Sequence, residues 1–166
     1  MDIKDIKNLR EIMGQQKEVR KSLLKEIVIE EEEIHISTED LLRGYSANRK
    51  ICEEFFPREK RIVHKIAVFD FGEISSKEAE EKMKIIGFVP ANVYEALIAL
   101  GKDREIKGDL FISGSPSDPE DLSFSTFPMI KVNGGKVITL NVDLKVEKRF
   151  FVGVELIKEE KEKEVV

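Results

Sequence analysis

Apolar residues recur near helical spacing through the first 25 positions: Ile3, Ile6, Leu9, Ile12, Met13, Val19, Leu23 and Leu24. They predict an amphipathic helix over 2–25, interrupted at Gly14-Gln15-Gln16. Residues 26–36 are apolar at both ends with Glu30 to Glu33 between, which reads as an edge strand guarded by charge. Ser37-Thr38-Glu39-Asp40 resembles a capping box, opening a helix through Leu41, Leu42, Tyr45, Ile51, Cys52 and Phe55 that Pro57 stops. Residues 61–71 form the most hydrophobic strand, ended by Gly72. Ser75 to Glu78 opens a helix over 76–86 with Ala79, Met83 and Ile86 inward and Gly87 closing it. Pro90 suits the first turn of a further helix, 90–100, before Gly101.

The last third alternates in the manner of strands. Residues 109–112 predict a short strand and 113–121 a polar loop. Strands 127–132 and 136–144 flank Asn133-Gly134-Gly135, a hairpin signal, with Ile138, Leu140, Val142 and Leu144 facing inward. Phe150 to Ile157 makes a final strand. The expected organisation is one α+β domain, with a helix-strand-helix region at 1–57, an α+β half at 58–158 and a charged tail at 159–166.

Composition narrows what such a domain does. With 166 residues, 41% hydrophobic and 37% charged, the chain can close one core under a heavily charged surface. The charge is mostly Lys and Glu, Gln is confined to Gln15 and Gln16, and Trp is absent, a trend of heat-adapted proteins. A net charge of -5 argues against a dedicated nucleic-acid binder. The single Cys52 excludes an intramolecular disulfide and a Cys-rich zinc site, and its apolar neighbours read as those of a buried structural thiol. His35 and His64 lie in strand-like alternations and read as side chains on sheet faces. The N-terminus has no apolar signal core and no run reaches membrane-spanning length, so the expected location is the cytoplasm, away from any membrane.

No nucleophile elbow, P-loop, zincin helix or EF-hand loop occurs, so no catalytic residue and no cofactor is expected. Asp118, Glu120 and Asp121 share one loop with oxygen ligands suited to Ca²⁺, but the ligand alternation of a calcium loop is missing and no metal site is assigned. The ligand-facing candidates are polar loop residues: Ser113, Ser115, Ser117, Asp118, Glu120, Asp121 and, at the hairpin tip, Asn133. An alternative is a helix-turn-helix over 76–101 that binds nucleic acid. Its second helix carries no Arg, Lys or Gln before Gly101, leaving Asn92 alone to read a base edge.

Ser75-Ser-Lys-Glu-Ala79, Met83, Gly87-Phe-Val-Pro90-Ala and Glu95-Ala-Leu97, together with the ending Arg149-Phe-Phe-Val-Gly-Val154, resemble the two-helix stretch and last core strand of C-type-lectin-like domains. With Phe69-Asp-Phe-Gly72, the same stretches are more closely similar to an uncharacterised family of small bacterial proteins. That likeness covers roughly residues 61–157, although Phe151-Val152-Gly153 stands where the family has Leu-Ala-Val. The lectin-like resemblance implies a binding scaffold that meets ligands through its long later loops. The expected function is therefore a non-catalytic binding or interaction module whose partner is a protein or another macromolecule. The apolar surface of the first helix needs a cover, either the domain's own core or a second copy, and a homodimer is the preferred outcome.

Overall fold

The computed structural model describes residues 2–47, 60–106, 108–114, 126–132, 136–142 and 149–157. In chain order its elements are α1 (Ile3–Lys21), β1 (Leu23–Val28), a 3-10 turn (Glu31–His35), α2 (Thr38–Leu41), β2 (Ser46–Ala47) and β3 (Val63–Phe69). Then come α3 (Ser76–Ile85), β4 (Val89–Pro90), α4 (Val93–Lys102), β5 (Leu110–Phe111), β6 (Thr126–Lys131), β7 (Val137–Val142) and β8 (Phe150–Leu156). The architecture is mixed α+β. The strands form one sheet in the order β1-β3-β8-β5-β6-β7-β2, and β4 pairs with β8 off this path. Pairing is antiparallel except between β5 and β8 and between β2 and β7.

Helices cover both faces of the central strands. On β3, Ile66 and Val68 join α4 in the largest core cluster, while Ala67 and Phe69 pack with Val19 of α1 and Met83 of α3. On β8, Val152 and Val154 face the α4 side, and Phe151 faces the other beside Phe111, Met129 and Ala79. A strand buried on both faces needs apolar side chains at successive positions, so 66–69 and 151–154 read as continuous hydrophobic runs. The terminal strand is thus central, lying between β3 and β5.

Gly153 shows how closely α3 lies on that strand. A Cβ built there would sit 2.7 Å from Met83 Sδ and 3.3 Å from Phe88 Cβ. Gly153→Ala should cost ~1–3 kcal/mol, the usual range for overpacking. Gly101, in α4, has nothing within 4 Å of its Cβ position. Gly101→Ala should instead add roughly 0.5–1 kcal/mol from helix propensity. Urea unfolding distinguishes them, and equal midpoints for the two variants would contradict this packing.

Several expected elements have different bounds. The first helix runs through Gly14-Gln15-Gln16 without a break, because one interior glycine costs only ~1 kcal/mol. Leu23 and Leu24 belong to β1, not to the helix. The predicted strand 26–36 stops at Val28, and β1 is the edge strand expected there. Beyond it the glutamates form the 3-10 turn, where Glu33 Oε1 accepts from Glu30 N at 2.9 Å. His35 sits exposed on this turn rather than on a sheet face. Tyr94 Oη draws the same segment over α4, lying 2.6 and 2.7 Å from the carbonyl oxygens of Ile34 and Ile36.

At the start of the helix expected from 37 to 56, a single turn over Thr38–Leu41 gives way to Gly44 at φ 88° and then to β2, and residues 48–56 lie outside the described residues. Cys52 and Phe55 lie outside the described residues. Pro90 is in β4, not in a helix. The helix begins after Asn92, whose Oδ1 accepts from Glu95 N at 2.9 Å while Glu95 Oε1 accepts from Asn92 N at 3.0 Å. That reciprocal cap fixes the start three residues later than the proline suggested. In the hairpin, Ile138 is buried as expected, opposite Ile130, and the side chains of Leu140 and Val142 fall outside the described set.

Candidate functional site

Two features stand out as places where charge meets the core. The first is a clamp at the start of α4. Glu95 is 2% exposed, and its carboxylate accepts from Arg61 through Nε at 3.0 Å and through Nη2. Arg61 Nη2 also donates to the carbonyl of Pro90 at 3.0 Å. With the Asn92 N–H donating to Oε1 at 3.0 Å as well, both carboxylate oxygens are engaged by structure. In the second, the buried Arg149 guanidinium stands 4.0 Å from the Phe111 ring centre and 5.1 Å from that of Phe151, and Nη2 donates to Ile74 O. The Glu95 carboxylate and the Arg149 guanidinium are both buried, while the Arg61 side chain stays partly exposed, and both features tie the sheet to its surroundings.

A cavity of about 490 Å³ opens where α2, α4 and the base of the β6–β7 hairpin converge. Its walls are apolar, with Leu97, Leu100 and Ile106 buried behind Leu41, Tyr45 and Val132. Its rim is charged, with Arg43, Arg104 and Lys136 among the lining residues alongside Asp40 and Asp103. Both acids already have partners. Asp40 Oδ1 holds Arg43 at 3.0 Å, and Asp103 Oδ2 lies 3.4 Å from Lys25. Lys136 places its ammonium 5.4 Å from the Tyr45 ring centre. Burial pushes the Tyr45 phenol up from its ordinary value, so the ring stays neutral around physiological pH.

Apolar walls under a rim with cations to spare suit a ligand that is greasy at one end and anionic at the other. Comparison with known protein families, with curated proteins and with solved structures finds no match to this chain. The site's reading therefore stands on its geometry.

A second groove, of about 560 Å³, lies between α1 and α3. Only Val19 and Ile85 give it an apolar floor, and Glu11, Gln15, Glu18, Ser22 and Lys82 line the rest. It is the seam along which one helix rests on another, and Gln16 Nε2 crosses it to Ile85 O at 3.4 Å.

Of the seven predicted ligand-facing residues, only Ser113 is described. Its Oγ is buried and has no hydrogen-bond partner among the described residues. Ser115, Ser117, Asp118, Glu120, Asp121 and Asn133 lie outside the described set. Ser113 follows β5 at the Pro128 end of β6, where Ile112 N donates to Pro128 O, whereas the hairpin tip lies beyond Lys131 and Val137. Val132 and Lys136, on either side of that tip, both line the cavity. Arg43, Tyr45 and Arg104 were not singled out by sequence, since isolated cations and a tyrosine at helical spacing carry no local signal.

Among the described residues no group of three or more metal-ligating side chains converges. No helix described is long and apolar enough to cross a membrane. His64 Nδ1 pairs with Glu155 Oε1 at 2.8 Å on the open sheet surface. The helix-turn-helix alternative meets a packing obstacle, because Val93 to Leu100 are all buried and Asn92 is spent on the cap. In the basic stretch beside it, Arg61 is clamped to Glu95, Lys60 lies 4.6 Å over the Tyr94 ring and Lys65 pairs with Glu26 at 2.8 Å.

Proposed function

We propose that the protein is a non-catalytic binding module that captures an acidic, apolar segment of a partner protein in the cavity between α2, α4 and the hairpin base. The observation that carries this reading is the combination of buried Leu97, Leu100 and Ile106 walls with Arg104 and Lys136 on the rim. A leucine-sized side chain would displace water from the walls, and a neighbouring carboxylate would meet the rim cations. Tyr45 offers a ring for stacking on the same wall.

The antiparallel pairing of β3 with β8, with α3 and α4 between them in sequence, supports a C-type-lectin-like reading of residues 58–158. Such a scaffold would make the cavity an addition by the N-terminal region, which supplies Asp40, Leu41, Arg43 and Tyr45.

A displayed library of short random peptides tests the proposal. Enriched sequences should pair Asp or Glu with Leu, Ile, Val or Phe. Their binding should fall roughly tenfold or more in Arg104→Glu/Lys136→Glu, the scale of lost charge pairs with reversed sign. Enrichment of basic peptides, or affinity unchanged in that variant, would overturn it. Free alkyl carboxylates tested alongside separate a peptide ligand from a small organic acid of the same chemistry.

A further inference from the structure

Ile3, Ile6, Leu9, Ile12 and Met13 keep between 41 and 79% of their surface exposed, and Val19 is the only residue of α1 that is buried. Clustered exposed apolar side chains of this kind often mark a contact surface. Ile3, Ile6 and Met13 of this patch point well away from the buried Val19, whereas Ile12 lies on the same side of the helix as Val19. Gln15 and Glu18 face the groove against α3. At ~100° per residue, Ile6, Leu9 and Met13 lie about 120–180° around the helix from both.

The spacing of the outward face names its occupant. Positions 2, 6, 9, 13, 16 and 20 step by four and three in alternation, the seam of a two-stranded coiled coil. They hold Asp2, Ile6, Leu9, Met13, Gln16 and Arg20, and the half-buried Gln16, which donates to Ile85 O of α3, marks the edge of this face nearest the protein's own domain. The seam is apolar at its centre, acidic at one end and basic at the other. A parallel second copy would set Asp2 on Asp2 and Arg20 on Arg20. An antiparallel copy about a two-fold axis at Glu11 sets Leu9 on Met13, Asp2 on Arg20 and, beside the seam, Asp5 on Lys17. All of these charged residues are exposed.

We propose that the protein forms a two-fold homodimer in which α1 pairs antiparallel with α1 of a second copy through this seam. Two such faces bury on the order of 1,000 Å² of apolar surface, and the charged flanks bring the contact into the range of specific interfaces. The pairing rests on observations separate from the α2–α4 cavity, so either proposal stands without the other.

Light scattering on the full-length chain at high micromolar concentration should give twice the mass of the 19.0 kDa chain. Leu9→Glu/Met13→Glu should be monomeric while keeping the wild-type far-ultraviolet circular dichroism and a cooperative melting transition, because both side chains are exposed. Asp2→Arg alone and Arg20→Asp alone should each weaken the dimer about tenfold, since each variant faces like charges at both ends of the seam. The double swap should restore it. A monomeric wild type, or a dimer that survives Leu9→Glu/Met13→Glu, would overturn the proposal. Single charge changes that leave the dimer as tight as before would show parallel pairing, in which like charges meet at each end whichever sign they carry, and would contradict the register.

Discussion

Phe151→Ala is expected to be among the most damaging single substitutions, at ~3–5 kcal/mol, the usual loss for a fully buried phenylalanine. The side chain is 0% exposed in the middle of the sheet. Its ring centre lies 5.6 Å from that of Phe111 in an edge arrangement and 6.2 Å from that of Phe71, and Phe71 stacks on Phe69 at 5.0 Å. The Arg149 guanidinium completes the surroundings at 5.1 Å. Removing the ring opens a cavity that α3 cannot collapse into, since Ala79 and Met83 are already in contact with the sheet. For a chain of this length the loss corresponds to a melting temperature lower by roughly 6–20 °C. Phe151→Leu should lose about half as much, because it keeps most of the volume but not the ring contacts. Calorimetry on both variants checks the ordering, and equal losses would show that the ring contacts, not the filled volume, account for the whole effect.

Glu95→Ala should be nearly as severe, at about 2–4 kcal/mol. The substitution removes the acceptor of the Asn92 N–H in a buried cap and the partner of Arg61 together. The figure sits below that for a fully buried pair because the Arg61 side chain is 34% exposed and can recover water. Glu95→Gln keeps an oxygen for the cap and should cost roughly 1–2 kcal/mol. Chemical denaturation of the two variants measures the gap. A glutamine variant as unstable as the alanine variant would mean that the charge, not the cap, dominates.

The parts of this fold legible in the sequence are those whose signals are local. Ser75 accepts from Glu78 N at 3.2 Å, as its capping pattern predicted, and Gly87 adopts a left-handed φ of 84° after α3. The hairpin around 133–135 followed from its turn residues. Tertiary partners hid the rest. The glutamate run resembles a strand until Tyr94 and Lys102, far along the chain, pull it into a turn, with Lys102 Nζ 2.7 Å from Glu33 Oε1. Pro90 looked like a helix start because nothing nearby reveals that β8 pairs with it. The cavity was harder still. Tyr45, Arg104 and Lys136 come from three separate stretches, and only the sheet order brings them together. The hairpin-tip reading came nearest, since Val132 and Lys136 flank it.

The cavity's role is tested most directly by nuclear magnetic resonance with ¹⁵N-labelled protein and a panel of short peptides that pair Asp or Glu with an apolar residue. The account predicts saturable shifts at the amides of Leu41, Tyr45, Leu100, Arg104, Ile106 and Lys136, strongest for peptides with Leu, Ile, Val or Phe beside the acid and lost in Arg104→Glu/Lys136→Glu. Shifts confined to the α1–α3 groove at Gln15, Glu18, Lys82 and Ile85, or no saturable shift with any such peptide, would contradict it.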